Sequence, residues 1–465
     1  MIEAVARRLE KTVGNACIIG AGASGIAAAK ALQEREIPFD CFEKRDRVGG
    51  IWAIADGEDT SAAYRSLRIN TSKKVTRFSD LPLADGLPDF PPRGDVDLYL
   101  NCYVDRHCLR DQITFGTGVE RARLLEGGAW EVTLASGETR HYDWLVVANG
   151  HNERPRWPLP AIPGEFAGRQ IHSHEYLDPT PMRGQRVVVV GLGNTAVDVA
   201  VECSYVADRL ILSCRRGAHV IPRYVLGRPA DQYPDSPWLP FRLRRVSQGL
   251  VRRLLLGAPG AHGLPVPDHR FGQASPTISG SLLPCLAEGR ILARGELVRL
   301  DGEHVVFADG TRERVDVIVY CTGYEIDFPF FGSSLEEEVR SALPLYLRMF
   351  APGLRQAAFV GLVQQWGALF PIAEAQAEFI ADLMLGELAL EDLPAQRGWI
   401  ERERRRVRRR YVASARHEIM LDTGEYLRAL RRAHRQARRR AAAGRSAGGR
   451  ALLRRERRLA DAERP

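Results

Sequence analysis

Residues 16–25 read Ala-Cys-Ile-Ile-Gly-Ala-Gly-Ala-Ser-Gly, an apolar run that breaks into GxGxxG and passes into the helix-forming stretch 26–35. Strand, glycine turn and helix in that order make a dinucleotide-binding unit. Gly20 permits the tight turn, Gly22 lets the backbone approach a pyrophosphate, and Gly25 lets the helix pack on the strand. The next apolar run, residues 39–42, ends in Glu43, about 20 residues on, where the fingerprint places an acid against ribose hydroxyls.

The pattern occurs a second time. Residues 186–190 form a β-branched run, Gly191-Leu192-Gly193-Asn194-Thr195-Ala196 is the turn, and residues 197–205 read as the helix. Here the acid is missing. Ser213-Cys214-Arg215-Arg216 stands at the strand end, where a guanidinium can grip a ribose 2′-phosphate, which favours NADP over NAD. The duplication reaches further: residues 136–150 and 309–323 share xGxxxxxDxxVxxxG without a gap. Gly20 to Gly150 spans 130 positions and Gly191 to Gly323 spans 132. The fold class is therefore α/β with two Rossmann-like dinucleotide-binding domains. Two such sites, one of them suited to NADP, fit a flavoprotein that passes hydride from NADPH to FAD.

The chain has 465 residues, enough at about 150 per domain for both units and more. No run of about 18 apolar residues occurs, and the first ten residues carry Arg7, Arg8 and two acids where a signal core would lie. These features predict a cytoplasmic protein without a transmembrane segment. Eight cysteines form no CxxC pair and no zinc-spaced cluster, so no metal is expected. The net charge of +8 is unevenly placed. Residues 401–465 hold 22 Arg against 8 acids, a surplus of 14, and the preceding 400 residues are net negative by 6. The chain has five Lys against 61 Arg, a bias expected of a G+C-rich coding sequence, and its tail lacks interleaved aromatics; no nucleic-acid partner is expected.

Between the units, Phe166, Gly168, His172 and Tyr176 spell FxGxxxHxxxY. This resembles the fingerprint of class B flavin-containing monooxygenases. Other stretches resemble that family in order: Val48-Gly49-Gly50-Ile51-Trp52, residues 67–73 with Asn70 and Thr71, Phe78-Ser79-Asp80, and Cys321-Thr322-Gly323-Tyr324. The resemblance covers roughly residues 15–435. It implies an FAD domain of residues 1–158 and 324–435, an inserted NADP domain of residues 159–323 that begins with the fingerprint, and an Arg-rich, glycine-interrupted tail at 436–465.

For FAD, the resemblance together with the glycine turn implies contacts from Gly20, Ala21, Gly22, Ala23, Ser24, Gly25, Glu43, Lys44, Gly50, Ile51, Trp52, Asn70, Thr71 and Gln364. For NADP it implies His172, Gly191, Gly193, Asn194, Thr195, Ala196, Asp198, Arg215 and Arg216, with no acid or base role for His172. The implied reaction reduces FAD with NADPH and adds O₂ to form a flavin 4a-hydroperoxide, which oxygenates a nucleophilic nitrogen or sulfur of a small molecule. Such an adduct needs a dry pocket and fixed donors. Asn70 is the catalytic candidate, since a neutral amide donates and accepts without adding charge.

Baeyer-Villiger oxygenation of a ketone is the first alternative, although that sister class usually ends its fingerprint in Trp followed by Pro or Asp, against Tyr176-Leu177 here. A reductase or oxidase without oxygen insertion is the second. The segments 361–367 and 371–377 resemble the part of the family that closes over the flavin ring, and the helix at 375–385 reads as core. Arg223, Tyr224 and the run 234–240 stand in variable segments that line a site or form a loop. Exposed helices near the C-terminus are compatible with a homodimer.

Overall fold

The computed structural model describes residues 14–54, 61–233, 260–413 and 418–462, with side chains in the last helix described up to residue 444. The first ten residues with Arg7 and Arg8, and the run 234–240, lie outside the described residues.

In the first unit, β1 (Ala16–Ile19) enters α1 (Ala23–Gln33) and returns as β2 (Phe39–Phe42). Helix α2 (Arg93–Arg106) and β3 (Ile113–Thr114) follow. Next come three antiparallel strands, β4 (Val119–Leu124), β5 (Trp130–Leu134) and β6 (Thr139–Tyr142), and then β7 (Trp144–Val147). β1 lies parallel between β2 and β7, with Ile19 opposite both Phe42 and Val147. The alternate residues of these strands face two different cores. Ala16, Ile18, Cys41 and Val146 pack against helices, whereas Cys17, Ile19, Phe42 and Leu145 pack against Trp130 and Val132 of the antiparallel layer. A parallel sheet covered on both faces reads as continuous hydrophobic runs, as β1 and β7 do.

The second unit repeats this plan. It contains β8 (Arg169–His172), β9 (Arg186–Val190), α3 (Asn194–Cys203), β10 (Arg209–Ser213) and β11 (Leu292–Arg294). An antiparallel trio follows, β12 (Leu297–Asp301), β13 (His304–Phe307) and β14 (Arg312–Arg314), before β15 (Val317–Tyr320). Its sheet order is β11-β10-β9-β15-β8, all parallel. Val187 and Val189 face α3, while Val188, Ile211 and Ile318 face Val305 and Phe307 of the trio.

The chain then returns to the first sheet, where β16 (Ala357–Phe359) pairs outside β7 to give the order β16-β7-β1-β2-β3. Helix α4 (Phe370–Met384) packs along α1, and the alanines of α1 allow that approach. Helices α5 (Leu393–Arg410) and α6 (Thr423–Ala462) complete the chain.

Helix starts differ from the sequence reading. Helices α1 and α3 begin at Ala23 and Asn194, three residues before Ile26 and Val197, because Gly22 and Gly193 themselves serve as extended N-caps. α4 begins at Phe370, five residues before Ala375, with Pro371 in its first turn, where a missing amide costs nothing. The glycine-interrupted tail is helical to Ala462, since the Ala, Arg and Leu around its glycines are strong helix formers. Among the described residues no helix is long and apolar enough to cross a membrane.

Candidate active site

The two glycine turns share a construction. Gly20 has φ +97°, and a Cβ there would lie 2.8 Å from the Ala148 carbonyl oxygen on the segment after β7. Gly191 has φ +130°, and its Cβ would lie 2.8 Å from the Cys321 carbonyl oxygen after β15. In both units the first glycine lets the turn press against the closing segment. The third position differs. A Cβ on Gly25 would stand 1.8 Å from the Gly20 carbonyl oxygen, whereas the second unit accommodates Ala196 fully buried.

Neither helix has a side-chain cap, so the first-turn amides of α1 and α3 keep their capacity to donate to an anion. Above α1 the turn formed by Gly50, Ile51 and Trp52 closes the first cradle. A Cβ on Gly50 would sit 3.1 Å from Gly22 Cα. Arg45 Nη1 donates to the carbonyls of Gly50 and Ala53, each at 3.1 Å, and Arg93 Nη1 donates to Trp52 O at 2.9 Å. Gly361, with φ +76°, brings the 360–363 segment onto Ser24, where a Cβ would meet the hydroxyl at 2.1 Å. Gln364 lies just beyond, in a short strand paired with residues 420–422.

Glu43 is buried at the end of β2. Its Oε2 accepts the Ala21 N–H at 2.7 Å and its Oε1 the Arg45 N–H at 3.0 Å. A carboxylate has about four acceptor sites, so two stay available to ribose hydroxyls. Lys44 turns outward and pairs with Glu153. At the matching end of β10, Arg215 and Arg216 are exposed, and among the described residues Arg215 approaches one carboxylate, Glu296, at 3.8 Å. A glycine cradle with an acid at its edge fits FAD, and one with two guanidiniums fits NADPH. Asn194 Oδ1 is engaged by the Ile278 N–H at 2.7 Å, and Thr195 and Asp198 follow on the first turns of α3.

The two units meet at the 70–76 loop. Arg223 Nη2 donates to Asn70 Oδ1 at 3.1 Å, the Ser72 N–H donates to Asp231 at 2.5 Å, and Gln232 Nε2 donates to Ser72 Oγ at 3.2 Å. Tyr224 OH donates to Asp89 at 3.0 Å. The segment that the sequence left as site lining or loop thus docks on the first unit. The Asn70 side-chain oxygen engages Arg223, and Thr71 Oγ1 contacts Thr76 Oγ1. Arg223 also attracts Asp198, whose carboxyl is pushed up by burial and held back by a hydrogen bond from Tyr64 OH at 2.5 Å.

Sequence reasoning misses Tyr64 and Asp231, and it gives Arg223 no partner. Tyr64 and Arg223 reach partners more than 130 positions away, a separation that carries no local signal.

Of the fingerprint residues, Tyr176 borders this junction, its ring edge-on to Tyr64 with centroids 6.1 Å apart. Tyr176 is buried and donates to Glu202 at 2.8 Å, one turn beyond Asp198 on α3. His172 is fully buried at the end of β8, and its Nδ1 accepts the His174 N–H at 3.1 Å. Burial, with a smaller contribution from His174, lowers its pKa to about 4, so the ring is neutral near pH 7. Cys17 and Cys41 are fully buried within their strands, and burial raises both thiols. No cluster of His, Cys, Asp or Glu able to hold a metal occurs among the described residues.

The family model for flavin-binding monooxygenase-like proteins matches residues 13–434. The chain is 34% identical over 430 residues to flavin-containing monooxygenase 5 of Oryctolagus cuniculus, covering 87% of this chain and 80% of the relative. It is 32% identical over 416 residues to dimethylaniline monooxygenase (N-oxide-forming) 2 of Mus musculus, covering 84% and 77%. Among solved structures it resembles S-allyl-L-cysteine S-oxygenase from Allium sativum, with TM-score 0.66, 23% identity and 93% of each chain covered. It also resembles cyclohexanone monooxygenase from Rhodococcus sp. Phi1 bound to NADP+, with TM-score 0.70, 20% identity and 92% and 98% covered. At these identities the two structures speak for the fold.

Proposed function

The chain belongs to the flavin-binding monooxygenase-like family, and from that premise we propose that it oxygenates a soft nitrogen or sulfur atom of a small molecule at the junction where Arg223 meets Asn70. It is an NADPH-dependent flavin monooxygenase that uses FAD, NADPH and O₂. FAD, once reduced by NADPH, supplies the activation of dioxygen. Everything else falls to the chain's own side chains and backbone.

In this reading the amides that open α1 and the Gly22–Gly50 cradle hold the FAD pyrophosphate, and Glu43 accepts from ribose hydroxyls. Arg215 and Arg216 grip the 2′-phosphate of NADPH over the second turn. In the same reading residues 1–158 and 324–435 serve FAD and residues 159–323 serve NADPH. The observation that carries the proposal is the 3.1 Å bond from Arg223 to Asn70 Oδ1. It commits the amide oxygen, so Asn70 presents Nδ2–H as a fixed donor toward the reacting oxygen. A preorganised donor in a dry site needs no rearrangement when charge develops.

Oxygenation at nitrogen or sulfur is supported by the identity to an N-oxide-forming relative and by Tyr176 closing the fingerprint. A second reading has its own observation. The Arg223 cation beside Asn70 would also stabilise an anionic attacking oxygen, as ketone oxygenation to an ester requires. Asp198 lies in that cation's field, with its own carboxyl pushed up by burial. Competition of a tertiary amine, an alkyl aryl sulfide and a cyclic ketone for the enzyme, NADPH and O₂, read by mass spectrometry, decides between them. The amine or sulfide should win by about tenfold or more in kcat/KM. Ester or lactone as the main product would transfer the function to Baeyer-Villiger oxygenation.

A further inference from the structure

The surplus positive charge of this chain falls in its C-terminal residues 401–465. Helices α5 and α6 run antiparallel: Glu425 at the start of α6 accepts from Arg406 and Arg410 near the end of α5, at 2.7 Å each, and Arg440 lies 3.7 Å from Glu391 just before α5. Ile400 and Val407 on α5 and Leu430, Ala437 and Ala441 on α6 face inward. On the opposite faces stand two stripes at helical spacing. Arg402, Arg405 and Arg409 form one, and Arg428, Arg431, Arg432, Arg435 and Arg439 form the other.

All eight are exposed, and none forms an ion pair with a carboxylate among the described residues, whereas the flanking Arg404, Arg406, Arg410, Arg438 and Arg440 each do. Like charges three and four positions apart repel along a helix. Among the described residues no carboxylate pairs with these eight to offset that repulsion, so the stripes suit a partner that brings many negative charges.

We propose that the α5–α6 face docks on an anionic bilayer surface through the phosphates and carboxylates of its headgroups. The two antiparallel helices are tied together at both ends by the ion pairs of Glu425 and Glu391 and carry both stripes on their exposed sides, where a headgroup lattice can meet them. Each guanidinium can fork onto a phosphate. A single-stranded nucleic acid would call for aromatic platforms, but Trp399 and Tyr426 pack against the core. The segregation of charge fixes the orientation, since the first 400 residues are net negative by 6 and are repelled by the same membrane.

The test uses the full-length, FAD-loaded protein in co-sedimentation with vesicles of neutral phosphatidylcholine, alone or with about 30% phosphatidylserine, at low and high salt. The protein should bind only the anionic vesicles and lose at least about tenfold in partition coefficient at high salt. The variant R428Q/R431Q/R432Q/R435Q/R439Q should lose at least about tenfold at low salt while keeping its flavin content and NADPH oxidation. The variant R402Q/R405Q/R409Q should lose less, which guards against a folding defect in either. Equal binding by native and variant proteins, absence of binding, or displacement from anionic vesicles by a small excess of duplex DNA would overturn the proposal.

Discussion

The two dinucleotide units are strand-for-strand counterparts, and they differ mainly at their edges. In each, a central strand runs into a glycine turn that presses at 2.8 Å, measured from a hypothetical Cβ, on the segment following the closing strand. In each, helices cover one face of the sheet and an antiparallel trio covers the other. The first unit ends β2 in the buried Glu43, while the second follows β10 with the exposed Arg215 and Arg216. The outermost strand also differs in origin. In the first sheet it is β16, returned from the C-terminal part, and in the second it is β8, which carries His172. The shared scaffold positions a nucleotide, and one strand end sets the sign of the charge that meets it.

The sharpest way to break the equivalence is at the third position of the turn. Gly25→Ala places a Cβ 1.8 Å from a carbonyl oxygen, so the variant should lose most of its bound flavin and much of its thermal stability. Ala196→Gly, the reverse exchange in the second unit, should cost only about 1 kcal/mol. Flavin-to-protein absorbance ratios and melting curves check both. Similar losses in the two would mean that the third position does not distinguish the turns.

The edge strands should separate under acid. The position opposite the last residue of the closing strand is Phe359 in the first sheet and His172 in the second. With His172 at about 4 in the folded chain and near 6.5 when unfolded, the unfolded state takes up the proton first as pH falls. Stability should therefore decline from pH 6.5 to about 4, by up to about 3 kcal/mol, and level off below. His172→Phe should flatten that part of the profile in pH-dependent melting. An unchanged slope would assign the acid sensitivity elsewhere.

A smaller effect is expected at the strand ends. Removing Arg215 and Arg216 together to Ala should raise the KM for NADPH about 30-fold, the size of losing charge-assisted bonds to one phosphate, and change that for NADH by about twofold at most. Equal effects on both coenzymes would detach these arginines from the 2′-phosphate.

What the sequence made legible follows the range of the interactions involved. Glycine turns, the acid or arginines at a strand end and the two covered sheets depend on neighbours in one strand-turn-helix segment, and their residue types announce them. Contacts such as Arg223 with Asn70, or Tyr64 with Asp198, join segments 153 and 134 positions apart. Nothing in the local pattern of either segment records its partner. The strand Ala357–Phe359 is too short to show a period, so its return to the first sheet emerges only from packing. Lys44, beside Glu43, pairs through its side chain with Glu153, a partner 109 positions away that no local pattern records.

The account depends on the junction where Arg223 fixes Asn70, and the most direct measurement is the coupling ratio there. Oxygenated product and H₂O₂ are counted per NADPH oxidised, for the native chain and for Asn70→Ala, with a substrate the native enzyme turns over. The native chain should convert most NADPH into product, and the variant should divert most of it to H₂O₂ while its anaerobic rate of flavin reduction stays within about twofold. Unchanged coupling in the variant would contradict the account and remove Asn70 from the chemistry.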